Sequence, residues 1–129
     1  MKPNPIVGQG TPLHQWQASP HMAQLPLISV EQLVPEGHRA VIIAPHPDDE
    51  VLGCGGLLQG LAALGRPIQL ISVTDGRASH PGSRRWPAER LSVVRPQESA
   101  QALHRLGVPL HRLKWLRAGF DDSRVAAQE

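Results

Sequence analysis

The stretch Ala40-Val41-Ile42-Ile43-Ala44-Pro45-His46-Pro47-Asp48-Asp49-Glu50 decides the fold. Its first five residues form a continuous apolar run rich in β-branched side chains, the pattern of a strand buried on both faces. Pro45 and Pro47 end that strand, because proline has no N–H to give to a sheet ladder. The acidic triplet Asp48-Asp49-Glu50 suits a helix N-terminus, where the macrodipole favours negative charge. Val51, Cys54, Leu58, Leu61 and Leu64 recur at helical spacing, and Gly65 is expected just past the helix end. Gly53, Gly55 and Gly56 would weaken an exposed helix, so they predict close approach of a neighbouring backbone.

Downstream, Ile68–Val73 is a second apolar run that stops at Thr74-Asp75-Gly76. Strand, helix and strand in this order make a βαβ unit with a parallel sheet and a right-handed crossover. Residues 77–94 are polar and rich in Arg and Pro, and read as a long surface loop or irregular helix. Pro96 suits the first turn of a helix running to about Leu106, with Gly107 after it. A third strand is expected at Arg112–Leu116. The class is therefore α/β, and sites in open parallel sheets lie at the carboxyl ends of the strands. Two such ends are visible, His46–Asp49 and Thr74–His80. Upstream, residues 1–36 hold six prolines and read as an extended Pro-rich arm, pinned by Leu25–Val30 and Leu33-Val34. Residues 37–129 form the domain.

Composition narrows the function classes. A length of 129 residues suits one domain, and with three Trp, one Phe and no Tyr its core must be aliphatic. No apolar run approaches the ~18 residues of a membrane span. Met1–Pro5 lacks the apolar region of a secretory signal. The single cysteine, Cys54, excludes an intrachain disulfide and points to a reducing compartment, so a cytoplasmic location is expected. It reads as a packed core residue rather than a nucleophile, since no activating base accompanies it. Thirteen basic residues against eleven acidic ones leave a charge of +2. The eleven arginines among them are scattered from Arg39 to Arg124, with only Arg84-Arg85 adjacent, so no nucleic acid partner is expected.

The chemistry gathers at the first strand end. An imidazole and a carboxylate three residues apart across a tight turn, His46 and Asp49, can converge on one point. Both are acceptable zinc ligands, and a catalytic zinc keeps a position open for water whose pKa falls to about 7. Asp48, between them, is within reach of such a water and could serve as general base. The same residues also read as a helix-capping cluster with a surface imidazole. At the second strand end, Asp75 reads as a turn residue or pocket rim, and His80 as a pocket-lining residue. Glu98 shares a helical stripe with Ala102 and Leu106, which predicts partial burial and a pair with Arg95. His104 and His111 read as surface residues. The three Trp are too separated in sequence to predict a carbohydrate platform. Phosphate binding by Gly53–Gly56 is disfavoured, because the glycines fall inside the helix rather than before it.

Ala44-Pro45-His46-Pro47-Asp48-Asp49-Glu50 with Gly53-Cys54-Gly55-Gly56 resembles the signature of the PIG-L/LmbE-like family of zinc-dependent de-N-acetylases. The resemblance continues through Val73-Thr74-Asp75-Gly76, Ser79-His80-Pro81 and Arg95-x-x-Glu98, covering about residues 40–122. It implies the N-terminal portion of a Rossmann-like parallel-sheet sandwich. It implies one Zn²⁺ held by His46 and Asp49, Asp48 as general base, and substrate contacts from Arg95 and from Asp121 or Asp122. The reaction implied is hydrolysis of the acetyl amide of an amino sugar, such as an N-acetylglucosamine conjugate. The family's third zinc ligand and its oxyanion-stabilising histidine resemble an H-x-x-H pair with no counterpart here, so they are expected outside this sequence. The alternative expectation is a family member without catalysis, acting as a metal-, ligand- or partner-binding module. An uncovered sheet edge or apolar face in such a unit would invite association with a second copy.

Overall fold

The computed structural model describes residues 8–125. Three short helices, α1 (Leu13–Gln17), α2 (Pro20–Ala23) and α3 (Val30–Leu33), precede strand β1 (Ala40–Ala44). Helix α4 (Asp49–Ala63), strand β2 (Ile68–Thr74) and helix α5 (Ala88–Arg105) follow, then a 3-10 turn at Leu110–Arg112 and strand β3 (Lys114–Phe120). The strands lie in the order β1-β2-β3, all parallel. The α/β class and the βαβ unit are as the sequence predicts. The signal-peptide reading at Met1–Pro5 lies outside the described residues. Among the described residues, no helix is long and apolar enough to cross a membrane.

One face of the sheet carries the core. Side chains alternate along a strand, and Ala40, Ile42, Ala44, Ile68 and Leu70 bury themselves against Leu58 and Leu61 of α4 and Leu103 of α5. Fully burying one such Leu contributes about 1.5–3 kcal/mol, so this aliphatic layer fixes both helices. Toward the carboxyl ends of the strands the same face turns polar. Ser72 accepts from Trp115 Nε1 at 2.8 Å, and Thr74 Oγ1 donates to the Pro45 carbonyl at 2.7 Å. The site rests on this polar layer.

The opposite face corrects the expectation of a doubly buried strand. Val41 and Ile43 are 53% and 63% exposed, and Leu116, in register with Ile71, is exposed beside them. Helices α4 and α5 both pack on the other side, so no described element covers this face.

Five further expectations change. Within Gly53–Gly56 the nearest neighbour to an added Cβ would be Leu106 Cδ1, 3.7 Å from that of Gly55; the close approach falls at Gly60, where a Cβ would meet Val30 Cγ2 at 2.8 Å. That contact and the buried Val34 hold residues 30–34 on the domain, and the segment before β1 is partly helical instead of extended. Leu25, Leu27, Ile28 and Leu33 stay exposed and pin nothing. Helix α5 starts at Ala88, eight residues before Pro96, anchored by buried Leu91 and by Arg90 lying 4.3 Å over the Trp86 ring. Pro96 is thus inside the helix, where its missing N–H deprives the Ser92 carbonyl of a partner. Glu98 is exposed, and Ser99 and Leu103 take the buried positions on α5. Strand β3 begins at Lys114 because the 3-10 turn occupies Leu110–Arg112. It runs on to Phe120, with one residue more than β2 between the Ser72–Arg117 and Thr74–Phe120 pairs.

Candidate active site at the first strand end

Strand β1 delivers its chain end to a fixed place even though prolines 45 and 47 cannot donate to the sheet. The Pro45 carbonyl accepts both the backbone N–H and the hydroxyl of Thr74, at 3.1 and 2.7 Å, which ties the ends of β1 and β2 together. The chain then turns tightly, with the N–H groups of Asp48 and Asp49 donating to the His46 carbonyl at 3.0 and 3.3 Å. Asp49 opens α4, where the helix dipole favours its charge. Its Oδ2 accepts from the His46 backbone N–H at 2.9 Å and faces His46 Nδ1 at 3.4 Å. Both side chains are about half exposed, at 50% and 42%, so they are open to a ligand from solvent.

The 3.4 Å separation is long for an N–H···O hydrogen bond. It does match the spacing of about 3.4 Å between two ligand atoms on a tetrahedral metal with bonds of roughly 2.0–2.2 Å. An imidazole nitrogen and a carboxylate oxygen are also a donor pair that zinc accepts. These two residues therefore fit part of a metal site. Among the described residues, no group of three or more His, Cys, Asp and Glu side chains gathers to complete it.

Asp48 stands on the same turn, its carboxylate half exposed. Arg95, reaching over from α5, donates through Nη2 to Asp48 Oδ2 at 2.8 Å and to the Pro47 carbonyl at 3.2 Å. Its Nη1 donates to the Gly76 carbonyl at 3.2 Å. Arg95 therefore pairs with Asp48, across the helix–sheet boundary, and not with Glu98 as the i,i+3 spacing suggested. Glu50, the next acid in the motif, points the other way. It is buried beside Ser99 in a cleft of about 230 Å³ between α4 and α5, and neither side chain has a hydrogen-bond partner among the described residues.

The second strand end is organised differently. Asp75 is buried, and both its oxygens accept from the Arg77 guanidinium, Nε lying 3.0 Å from each. It also accepts the Arg77 backbone N–H at 3.2 Å. This partnership raises the Arg77 pKa above its ordinary value. Asp122 Oδ1 accepts the Ala78 N–H at 3.0 Å, fastening the loop after β2 to the end of β3. Asp121 accepts from the Ser123 N–H and hydroxyl, which hold its carboxyl below the usual carboxylate range. His80 is exposed, bonds Ser79 Oγ at 2.9 Å and lines a shallow cleft that it shares with Trp86 and Arg95. The structure thus brings His46, Asp48, Asp49 and Arg95 together, and sets Asp75, Asp122 and His80 around the adjoining loop. Sequence reasoning missed Arg77 and Thr74. The two-residue spacing of Asp75 and Arg77 around a turn glycine was the available signal.

Residues 41–129 match the family described as GlcNAc-PI de-N-acetylase (PIG-L). The chain belongs to the PIG-L family. Among PIG-L relatives, a 1D-myo-inositol 2-acetamido-2-deoxy-alpha-D-glucopyranoside deacetylase of Mycobacteroides abscessus is 36% identical over 76 residues, 54% of this chain and 27% of the relative. A deacetylase of the same description from Streptomyces scabiei is 30% identical over 105 residues, 77% of this chain and 32% of the relative. The fold is similar to that of N,N'-diacetylchitobiose deacetylase from Pyrococcus horikoshii, with a TM-score of 0.59 and 26% identity over 67% of this chain and 31% of that one. The chain spans about a quarter to a third of the length of these relatives.

Proposed function

We propose that this chain carries the metal-and-base part of a zinc-dependent de-N-acetylase, with residues 37–129 as the N-terminal part of that domain and 1–36 as its arm. The observation behind this reading is the His46–Asp49 pair at ligand spacing with Asp48 on the same turn. The substrate class is an N-acetylated glucosamine linked to a second hydroxyl-rich ring, the chemistry named for the relatives above. The reducing compartment suggested by the lone Cys54 makes the cytoplasm the proposed location.

His46 and Asp49 would hold Zn²⁺, which when bound acidifies a water and polarises the acetamide carbonyl. Asp48 takes the proton from the attacking water as the new C–O bond forms. The C–N bond then breaks, the proton passes to the leaving nitrogen, and acetate and a free amine result. The negative charge that develops on the carbonyl oxygen needs a preorganised donor. His80 and the loop held by Asp75 and Asp122 would meet the sugar hydroxyls.

The test is zinc content and acetate release, measured on the same samples. His46→Ala and Asp49→Ala lose bound zinc. Asp48→Asn keeps it and loses turnover by roughly 10²–10⁴, the usual contribution of a general base. Undiminished turnover in Asp48→Asn removes the assigned mechanism. Stoichiometric zinc without turnover in the parent chain favours a metal-binding module instead.

A further inference from the structure

We infer that Arg95 is a positioning residue that acts through Asp48, holding one carboxylate oxygen so that the other faces the attacking water. This rests on the reading of Asp48 as general base. Three observations carry it. The first is the aim of the guanidinium, whose two terminal nitrogens meet three acceptors on two different strand ends: Pro47 O, Asp48 Oδ2 and Gly76 O. A planar fork of this kind fixes direction as well as charge.

The second is its burial. The Arg95 side chain is only 15% exposed, against 48% for Asp48. Arg95 therefore lies beneath the carboxylate, and Asp48 stands between it and solvent. None of the described residues hydrogen-bonds Asp48 Oδ1, so that oxygen meets water with no protein donor upon it.

The third is the slot that admits the guanidinium. A Cβ on Gly76 would stand 2.5 Å from Arg95 Nη1 and 3.0 Å from Pro47 Cδ, and Gly76 has a φ of +69°. Only glycine both adopts that backbone and leaves this space. The β2 turn is thus shaped around the arginine, and Gly76 is part of the same device.

A side chain that meets substrate directly and one that orients the base differ in their kinetics. Arg95→Ala is expected to lower kcat by about 10–100-fold, the usual effect of removing a partner that orients an active-site group. KM and bound zinc stay near their parent values, and added guanidinium restores part of the rate. Arg95→Lys, which keeps the charge and loses the fork, recovers only part of it. In an Asp48→Asn background the Arg95→Ala loss vanishes, because its target is already gone. A raised KM with unchanged kcat, or losses that multiply in the double variant, overturns the inference and makes Arg95 a substrate contact.

A second measurement needs no turnover. Guanidinium Nη protons held by acceptors exchange slowly enough to be seen by proton–nitrogen NMR, so Arg95 should give such signals in the parent chain, and in Asp48→Ala those of Nη2 should shift and exchange faster while Nη1, held by the Gly76 carbonyl, changes less. Their absence from the parent overturns the inference. If the zinc-loaded parent releases no acetate while these signals are present, the proposed function fails and the Arg95–Asp48 arrangement stands.

Discussion

The two strand ends occupy equivalent places in the sheet and use their acids in opposite ways. At the end of β1, His46, Asp48 and Asp49 are each about half exposed, and among the described residues the one Arg or Lys side chain engaging them is Arg95, bonded to one oxygen of Asp48. At the end of β2, Asp75 is buried and both its oxygens are occupied by Arg77. Asp122 is likewise tied to the Ala78 N–H. On the proposed function, open side chains at one end and engaged ones at the other separate reactive groups from scaffold. The closed end fastens the loop after β2, which Arg95 joins to the open end through the Gly76 carbonyl. Position at a strand end nominates a residue; the number of its lone pairs left unpaired tells what it can do.

The largest effect expected from breaking this contrast is at His46. His46→Ala removes one of the two proposed ligand atoms and no hydrogen bond that holds the fold, since the backbone N–H to Asp49 remains. Zinc and turnover should fall together while the thermal midpoint of the metal-free chain barely moves. A large drop in that midpoint would put His46 on the scaffold side.

Asp75→Ala should do the reverse. Removing a buried carboxylate that accepts charge-assisted bonds leaves Arg77 without its partner, at a cost of about 1–3 kcal/mol. That is several degrees of thermal midpoint for a domain this size, with zinc content per folded chain unchanged. Zinc loss in the folded fraction would show that Asp75 belongs to the metal site. Asp122→Ala removes a single hydrogen bond to the backbone of the same loop, so a smaller loss of about 0.5–1.5 kcal/mol is expected. A loss as large as that of Asp75→Ala would mean that the β3 tether, and not the Arg77 pair, holds the loop.

These distinctions show where sequence reading reaches and where it stops. The strand at 40–44, the helix after it and the strand from Ile68 were legible because local pattern and tertiary role agree there. So was the meeting of His46, Asp48 and Asp49 on one turn, since a turn brings near neighbours together whatever the rest of the chain does. The start of α5 was not legible. Pro96 carries a strong helix-start signal, which tertiary anchoring by Leu91 overrides. The partner of Arg95 was hidden for a related reason. Its bond to Asp48 spans 47 residues and depends on where α5 lies across the strand ends. Likewise, the apolar run Val41–Ile43 states that both faces of β1 avoid water, not whether a described element covers the second one. The open or closed state of each acid depends on such long-range placement, so it could be read only from the structure.

The smallest expected effect sharpens the contrast on the closed side. Asp121 accepts from the Ser123 N–H at 2.9 Å and from its hydroxyl at 2.7 Å, and these bonds favour the charged carboxylate. The folded chain therefore binds its proton less readily than the unfolded chain, whose value lies near 3.8. A lowered folded-state pKa adds stability that is fully present above the unfolded value and is lost as pH falls through the folded one. Asp121→Asn keeps an acceptor for the Ser123 N–H and removes only the charge. Its thermal midpoint should lie slightly below that of the parent near neutral pH, and the gap should close in acid. A gap that persists in acid would assign the effect to side-chain geometry instead of charge, and Asp121 would leave the set of acids whose charge stabilises the closed end.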